Sequence, residues 1–232
     1  MSKTPTPNHP LDRPVWSALT TRLAALSAGD AAARRFALDV SPLAAARDDA
    51  PDAVAALVAL MPADDELVLL EATPPETPRG VALTFSALCV QMSARSITAG
   101  ARDFPLEPLG DHDAAEMLAL ATLTKPGPFR TRTHTLGRFL GIRDGGRLVA
   151  MAGERLRIDG FAEISAVCTH PDHRGRGYAG ALMRAVGARM LAEGDTPFLH
   201  THATNTGAIA LYRTLGFEPR AEVMHAVWRH AL

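Results

Sequence analysis

Apolar positions along the chain repeat at two periods, and the switches between them mark its elements. Trp16, Leu19, Leu23 and Leu26 fall at helical spacing and predict a helix ending near Gly29. Short apolar runs predict a strand over 36–40, a helix over 53–61 and a strand over 66–70. A turn with Pro74, Pro75 and Pro78 then leads to a long strand over 81–92. Residues 93–103 are small and polar and read as a linker. Two strands from one hairpin cannot bury themselves, so this half must pack on the second half or form a small lobe.

The second half carries the denser pattern. A strand is expected over 104–109, then a helix capped by Asp111 or Asp113, with Met117, Leu118 and Leu120 on its apolar face. The Lys125-Pro126-Gly127-Pro128 stretch stops that helix. Asp144-Gly145 and Asp159-Gly160 are hairpin signals separating strands over 139–143, 148–156 and 161–169. A Gly-rich turn, a helix over 178–192, a strand over 198–202, a helix over 206–215 and a strand over 221–228 complete the order β-α-(α)-β-β-β-α-β-α-β. That order predicts a mixed α/β class, an antiparallel hairpin set running into a β-α-β unit. The expected division is a lobe over 1–100 and a larger domain over 101–232.

Composition narrows the function. With 24 Lys+Arg against 25 Asp+Glu, the formal net charge of −1 leaves no basic excess for nucleic acid. The apolar run over 53–61 is too short for a membrane span, and the N-terminus lacks a signal-peptide pattern, so a cytoplasmic protein is expected. Cys89 and Cys168 each lie in an apolar strand-like run and read as buried, reduced thiols.

The most informative segment is Arg174-Gly175-Arg176-Gly177-Tyr178-Ala179-Gly180. A strand feeds it and a helix starts at once, so free backbone N–H groups and the positive helix end converge on one point. Glycine lets an anion approach such a backbone closely. The segment is neither a P-loop nor a dinucleotide fingerprint. Arg174-x-x-Gly177-x-Ala179 resembles the R/Q-x-x-G-x-G/A signature of the GNAT superfamily of N-acetyltransferases. Asn205-x-x-Ala208-x-x-Leu211-Tyr212-x-x-x-Gly216-Phe217 is similar to that family's closing block. The resemblance covers residues 104–232, and residues 124–179 look like a bacterial subgroup with a degenerate N-terminal lobe.

The resemblance implies a central, mostly antiparallel sheet flanked by helices, and acetyl-coenzyme A as co-substrate. It places the pyrophosphate on the turn over 174–180 and lays the pantetheine arm along the main chain of Val167, Cys168 and Thr169. It sets Asn205, Ala208 and Tyr212 against the coenzyme. Tyr212 would protonate the leaving thiolate. Glu163 lies mid-strand, where a carboxylate is unusual, and is the expected base for the attacking amine, with Glu154 as its rival. The acceptor would be a small-molecule or peptide amine bound near residues 125–129, and a homodimer is an open expectation. His170, His173, His200 and His202 gather within 33 positions, but no acidic or thiol residue completes a set at standard spacing, so no metal is expected.

Overall fold

The computed structural model describes residues 9–100 and 103–231. The elements in chain order are α1 (Pro14–Thr20), β1 (Ser27–Gly29), β2 (Ala33–Phe36), β3 (Ala44–Ala46), α2 (Pro51–Ala59), β4 (Leu67–Glu71) and β5 (Val81–Ser93). Next come β6 (Glu107–Leu109), α3 (Ala114–Thr124), β7 (Phe139–Asp144), β8 (Arg147–Ile158) and β9 (Phe161–Thr169). The last are α4 (Tyr178–Ala192), β10 (Thr196–His202), α5 (Thr206–Thr214) and β11 (Glu218–His230). The class is the expected mixed α/β, with a large and mostly antiparallel sheet flanked by helices.

That sheet has eight strands in the order β4-β11-β5-β10-β9-β8-β7-β6, and β1-β2-β3 form a separate small sheet. Every described pairing in the large sheet is antiparallel except β9 with β10. β5 lies between β10 and β11, paired along both edges. Its burial needs both neighbours, so a hairpin lobe alone could not have held it. The expected boundary lies between residues 100 and 101, next to the two residues left undescribed, and strands on both sides of it belong to one sheet.

Two apolar clusters occupy opposite faces, as the neighbouring residues Phe198 and Leu199 show. Phe198 packs with Leu156, Ile158 and Val223 beneath Leu11, Val15 and Leu19 of the N-terminal segment. Leu199 packs with Leu182, Val186 and Met190 of α4 and Leu215 after α5. Within the expected linker, the stretch at Ile97 and Thr98 is held down on the α4 side of the sheet. Ile97 lies on Gly187, where an added Cβ would stand 2.8 Å from the Ile97 side chain, and the Thr98 N–H donates to the Leu215 carbonyl at 3.1 Å. Small size at Gly187 offsets its unfavourable helix propensity by allowing this close approach.

Some elements differ from the pattern-based expectation. The first helix stops at Thr20 and gives way to a 3-10 turn at Ala24–Leu26, so Trp16 and Leu26 lie on different elements. On α3 the buried residues are Met117, Leu120 and Ala121, not Leu118. β3 is an alanine triplet with little strand propensity, made a strand by pairing with β2.

A chain beginning at residue 101 would lose β4 and β5, leaving β10 and β11 without their shared neighbour. Such a fragment is expected to be insoluble, or to show no cooperative melt by circular dichroism. A soluble, monomeric fragment with a sharp melt would show that the second half folds alone.

Candidate active site

β9 and β10 run parallel but stay paired only from Thr196↔Phe161 to Phe198↔Glu163. Beyond Glu163 they separate, and β9 from Ser165 to Thr169 keeps only its β8 neighbour. A bulge accompanies the separation: β9 sets Ala166 and Val167 against one residue of β8, between the pairs Ser165↔Gly153 and Cys168↔Met151. Ala166 there has φ 53°, a left-handed conformation that costs about 1–2 kcal/mol for an L-residue. The bulge breaks the strict in-out alternation of β9 and leaves main-chain groups on its β10 side available to an extended ligand.

Two cavities meet at this opening, and Val167 lines both. One is framed by Val167, Cys168 and Thr169, the turn from Arg174 to Gly180, and Ala208 with Leu211 of α5. Here α4 begins with no side-chain cap, at Gly177 with φ 91°. Gly175 is also left-handed, at φ 76°, and an added Cβ would meet nothing at either glycine. The first N–H groups of α4 are thus free, at the positive end of a 15-residue helix, with Arg174 and Arg176 beside them. This donor set fits a pyrophosphate. Cys168 packs its side chain against α3, where burial pushes the thiol up to about 11, so it contributes main chain rather than a reactive sulfur.

The second cavity, of about 300 Å³, is lined by the 125–128 stretch, by Leu43, Val68, Leu70 and Cys89 from the first hundred residues, and by Ile164, Ser165 and Ala166 of β9. Arg155, Leu199, His200, Thr201, His202, Asn205, Tyr212 and His225 complete it. Asn205 caps α5 by accepting from the Ala208 N–H at 3.3 Å and also faces this cavity. Burial raises the Tyr212 phenol above its ordinary value, so it remains a protonated donor at neutral pH. Tyr178 has a packing role besides its place in the turn, meeting Phe104 edge-on at a ring separation of 5.0 Å.

Glu163 is not on the wall of this cavity. It is fully buried beneath it, accepting from Arg155 Nε at 2.7 Å and Nη2 at 2.6 Å, and from His200 Nδ1 at 2.7 Å. Burial alone would raise its pKa, but the Arg155 charge and the hydrogen bonds from Arg155 and His200 outweigh that and hold it at about 2. A carboxylate so held is a poor proton acceptor at neutral pH. Glu154, the rival, faces α4 instead, taking a hydrogen bond from Arg189 at 2.9 Å.

The row continues past His200. Its Nδ1 proton goes to Glu163, which leaves Nε2 to accept from the Gln91 amide at 2.9 Å. Gln91 Oε1 accepts from Arg220 at 2.7 Å, and Arg220 reaches Asp12 at 2.6 Å. No sequence period reveals these partners, because they come from different strands.

The histidines divide. His173 borders the first cavity, whereas His200 and His202 line the second. His202 Nε2 lies 3.3 Å from His225 Nδ1, and with Cys89 Sγ these donor atoms are all within 4.8 Å of one another. Such a set has the chemistry of a thiophilic divalent-ion site. However, Cys89 is pushed up to about 11 and would have to lose its proton to bind one. Burial, followed by the neighbouring His202 charge, lowers His225 to about 4, which makes it a neutral imidazole at pH 7.

Comparison with known proteins gives the family. Residues 139–228 match the family model described as FR47-like protein. A GNAT-family protein from Novosphingobium aromaticivorans is 41% identical, with 97% of this chain and 100% of that one covered, at a TM-score of 0.91. The chain belongs to the GNAT family of acetyltransferases. A GCN5-related N-acetyltransferase from Kribbella flavida shares the fold at 19% identity, over 93% of this chain and 95% of that one, with a TM-score of 0.65. The N-alpha-acetyltransferase RimI of Mycobacterium tuberculosis is 36% identical over 83 residues, 34% of this chain and 51% of that protein, so the match spans about half of that relative. Among the described residues no helix is long and apolar enough to cross a membrane.

The Glu163 pair makes a stability prediction with a definite sign. Its folded pKa, about 2, lies below the ordinary 4.5, so its contribution is present above pH 4.5 and is lost as pH falls through 2. Glu163→Gln is expected to lower stability by about 3–5 kcal/mol at pH 7, the cost of leaving Arg155 buried and unpaired. The gap from the parent should narrow between pH 4.5 and pH 2 in urea melts. A gap independent of pH would show that the ion pair does not carry the effect.

Proposed function

We propose that the protein is an acetyl-CoA-dependent N-acetyltransferase in which a primary amine attacks the thioester directly. The observation that carries this reading is the shared wall at Val167, which joins an anion-binding helix end to a cavity holding Tyr212. Acetyl-CoA bound along that opening would supply an acetyl thioester whose C–S bond breaks as the C–N bond to the amine forms.

The residues divide the work. Free N–H groups of the 174–180 turn, with Arg174 and Arg176, bind the phosphates. The unpaired edge of Val167, Cys168 and Thr169 holds the pantetheine amides as a strand would. Asn205 and Ala208 fix the start of α5, which carries Tyr212 to the cavity. The Tyr212 hydroxyl gives its proton to the sulfur as charge develops there. Glu163 acts through its partners: it fixes Arg155 and His200 in the cavity wall and does not itself take the proton. The proton lost by the amine leaves towards the solvent side of the cavity, where the exposed His202 stands. Much of the rate gain comes from holding amine and thioester together. The first hundred residues, placed in sequence terms as a lobe over 1–100, serve this site by completing the acceptor cavity with Leu43, Val68, Leu70 and Cys89.

Two substitutions test the reading. Gly177→Glu puts a negative charge at the phosphate position, while Gly177→Ala keeps only the backbone strain of φ 91°, worth about 1 kcal/mol. Calorimetry is expected to show acetyl-CoA binding abolished in the first and retained in the second. Equal affinities would mean that the turn holds no phosphate. For Tyr212→Phe, kcat should fall about 10²-fold or more with little change in the Kd for acetyl-CoA, because the hydroxyl matters only as the thiolate forms. An unchanged kcat would remove Tyr212 from the reaction.

A further inference from the structure

The charges on the acceptor cavity wall have one sign. Among the described residues the wall carries Arg155, Lys125 and three imidazoles, and no aspartate or glutamate. A site for a plain alkylammonium would need the opposite sign. Arg155 is held in a fixed pose by Glu163, through Nε at 2.7 Å and Nη2 at 2.6 Å. Its third nitrogen, Nη1, has no hydrogen-bond partner among the described residues, and the side chain lines the cavity. A guanidinium fixed on one edge is a preorganised donor for an anion on its free side. Lys125 caps the end of α3 at φ 50°, is followed at once by Pro126, and lines the same cavity.

We infer that the acceptor carries a carboxylate close to its amine and is a free amino acid or a similar small zwitterion. Its carboxylate sits on Arg155 Nη1 and Lys125, and its amine points to the Tyr212 end. This deepens the N-acetyltransferase reading and rests on it. The size of the cavity, about 300 Å³, is at the small end of ligand pockets and suits a single amino acid better than a polypeptide end. The arrangement also helps to make the nucleophile. A carboxylate paired with Arg155 and Lys125 stabilises its own ammonium less, which favours loss of the amine's proton. The amine is therefore bound in the neutral form that attacks, which explains how the site works without a carboxylate base on its wall.

The test is thiol release from acetyl-CoA by the purified full chain, over a panel of free amino acids, each beside its carboxamide, its decarboxylated amine and a dipeptide bearing it at the N-terminus. At least one amino acid is expected to show a KM about tenfold or more below that of its amide, the fold-change a charged hydrogen bond carries. Lys125→Gln should raise the KM for the acid more than that for its amide. Replacing Arg155 would also unpair the buried Glu163, so the lysine variant keeps the test separate from folding. Amides, plain amines or dipeptides used as well as the free acids would overturn the inference while leaving the acetyltransferase reading intact. If acetyl-CoA binds but no amine releases thiol, the acetyltransferase reading fails. Calorimetry with the same amino acids and amides then decides the cavity: heat from the acids alone supports an anion subsite, and no discrimination overturns it.

Discussion

Five neighbouring strands, β11, β5, β10, β9 and β8, are tied by one row of buried and half-buried side chains: Arg220, Gln91, His200, Glu163 and Arg155. Each member satisfies the next, and Asp12 closes the row from the N-terminal segment. A network of this kind holds only when every member is paired, since an orphaned buried ion costs several kcal/mol. It therefore fixes which strands are neighbours and in what register. It also runs beneath the second cavity, so the groups that align the sheet orient Arg155 and His200 in its wall. Stability and the shape of the cavity wall share the same atoms at Glu163.

The opening beside this row depends on backbone geometry rather than on any one side chain. Pairing of β9 with β10 ends at Glu163, and within three residues the left-handed Ala166 has redirected the strand. Strain of this kind persists where the surroundings over-determine it, here through β8 pairing on both sides of the bulge and the buried Cys168 beyond it. The same redirection exposes the edge at Val167 and leads the chain into the Gly-rich turn. The two cavities that share Val167 are thus set by one local distortion.

Much of the second half was legible because its signals are local. Alternation, two Asp-Gly turns and a helical apolar face placed residues 161–169 and 178–192 as observed. The Gly-rich turn was legible for the same reason, since its glycines, helix start and arginines lie within seven positions. What escaped depends on distance. Glu163 stood out as a mid-strand carboxylate, but nothing local says that Arg155 and His200 neutralise it from two other strands. The meeting of Cys89, His202 and His225 joins three strands brought side by side only by the sheet order. Ala166 gave no signal at all, because an alanine in a left-handed bulge looks like an alanine in a strand.

The place of β5 bears on how the chain is made. Its two partners begin at Thr196 and Glu218, more than a hundred residues after its own end at Ser93. At translation speeds of about 5–20 residues per second, β5 waits on the order of 10 s outside the ribosome with both edges unpaired. During that wait it presents Leu83, Phe85 and Leu88, apolar side chains that stay partly exposed even in the finished fold. Such long-range pairing slows folding and leaves a sticky edge in the meantime. Low yield on overexpression, or dependence on a holding chaperone, would trace to this strand rather than to the site it helps to build.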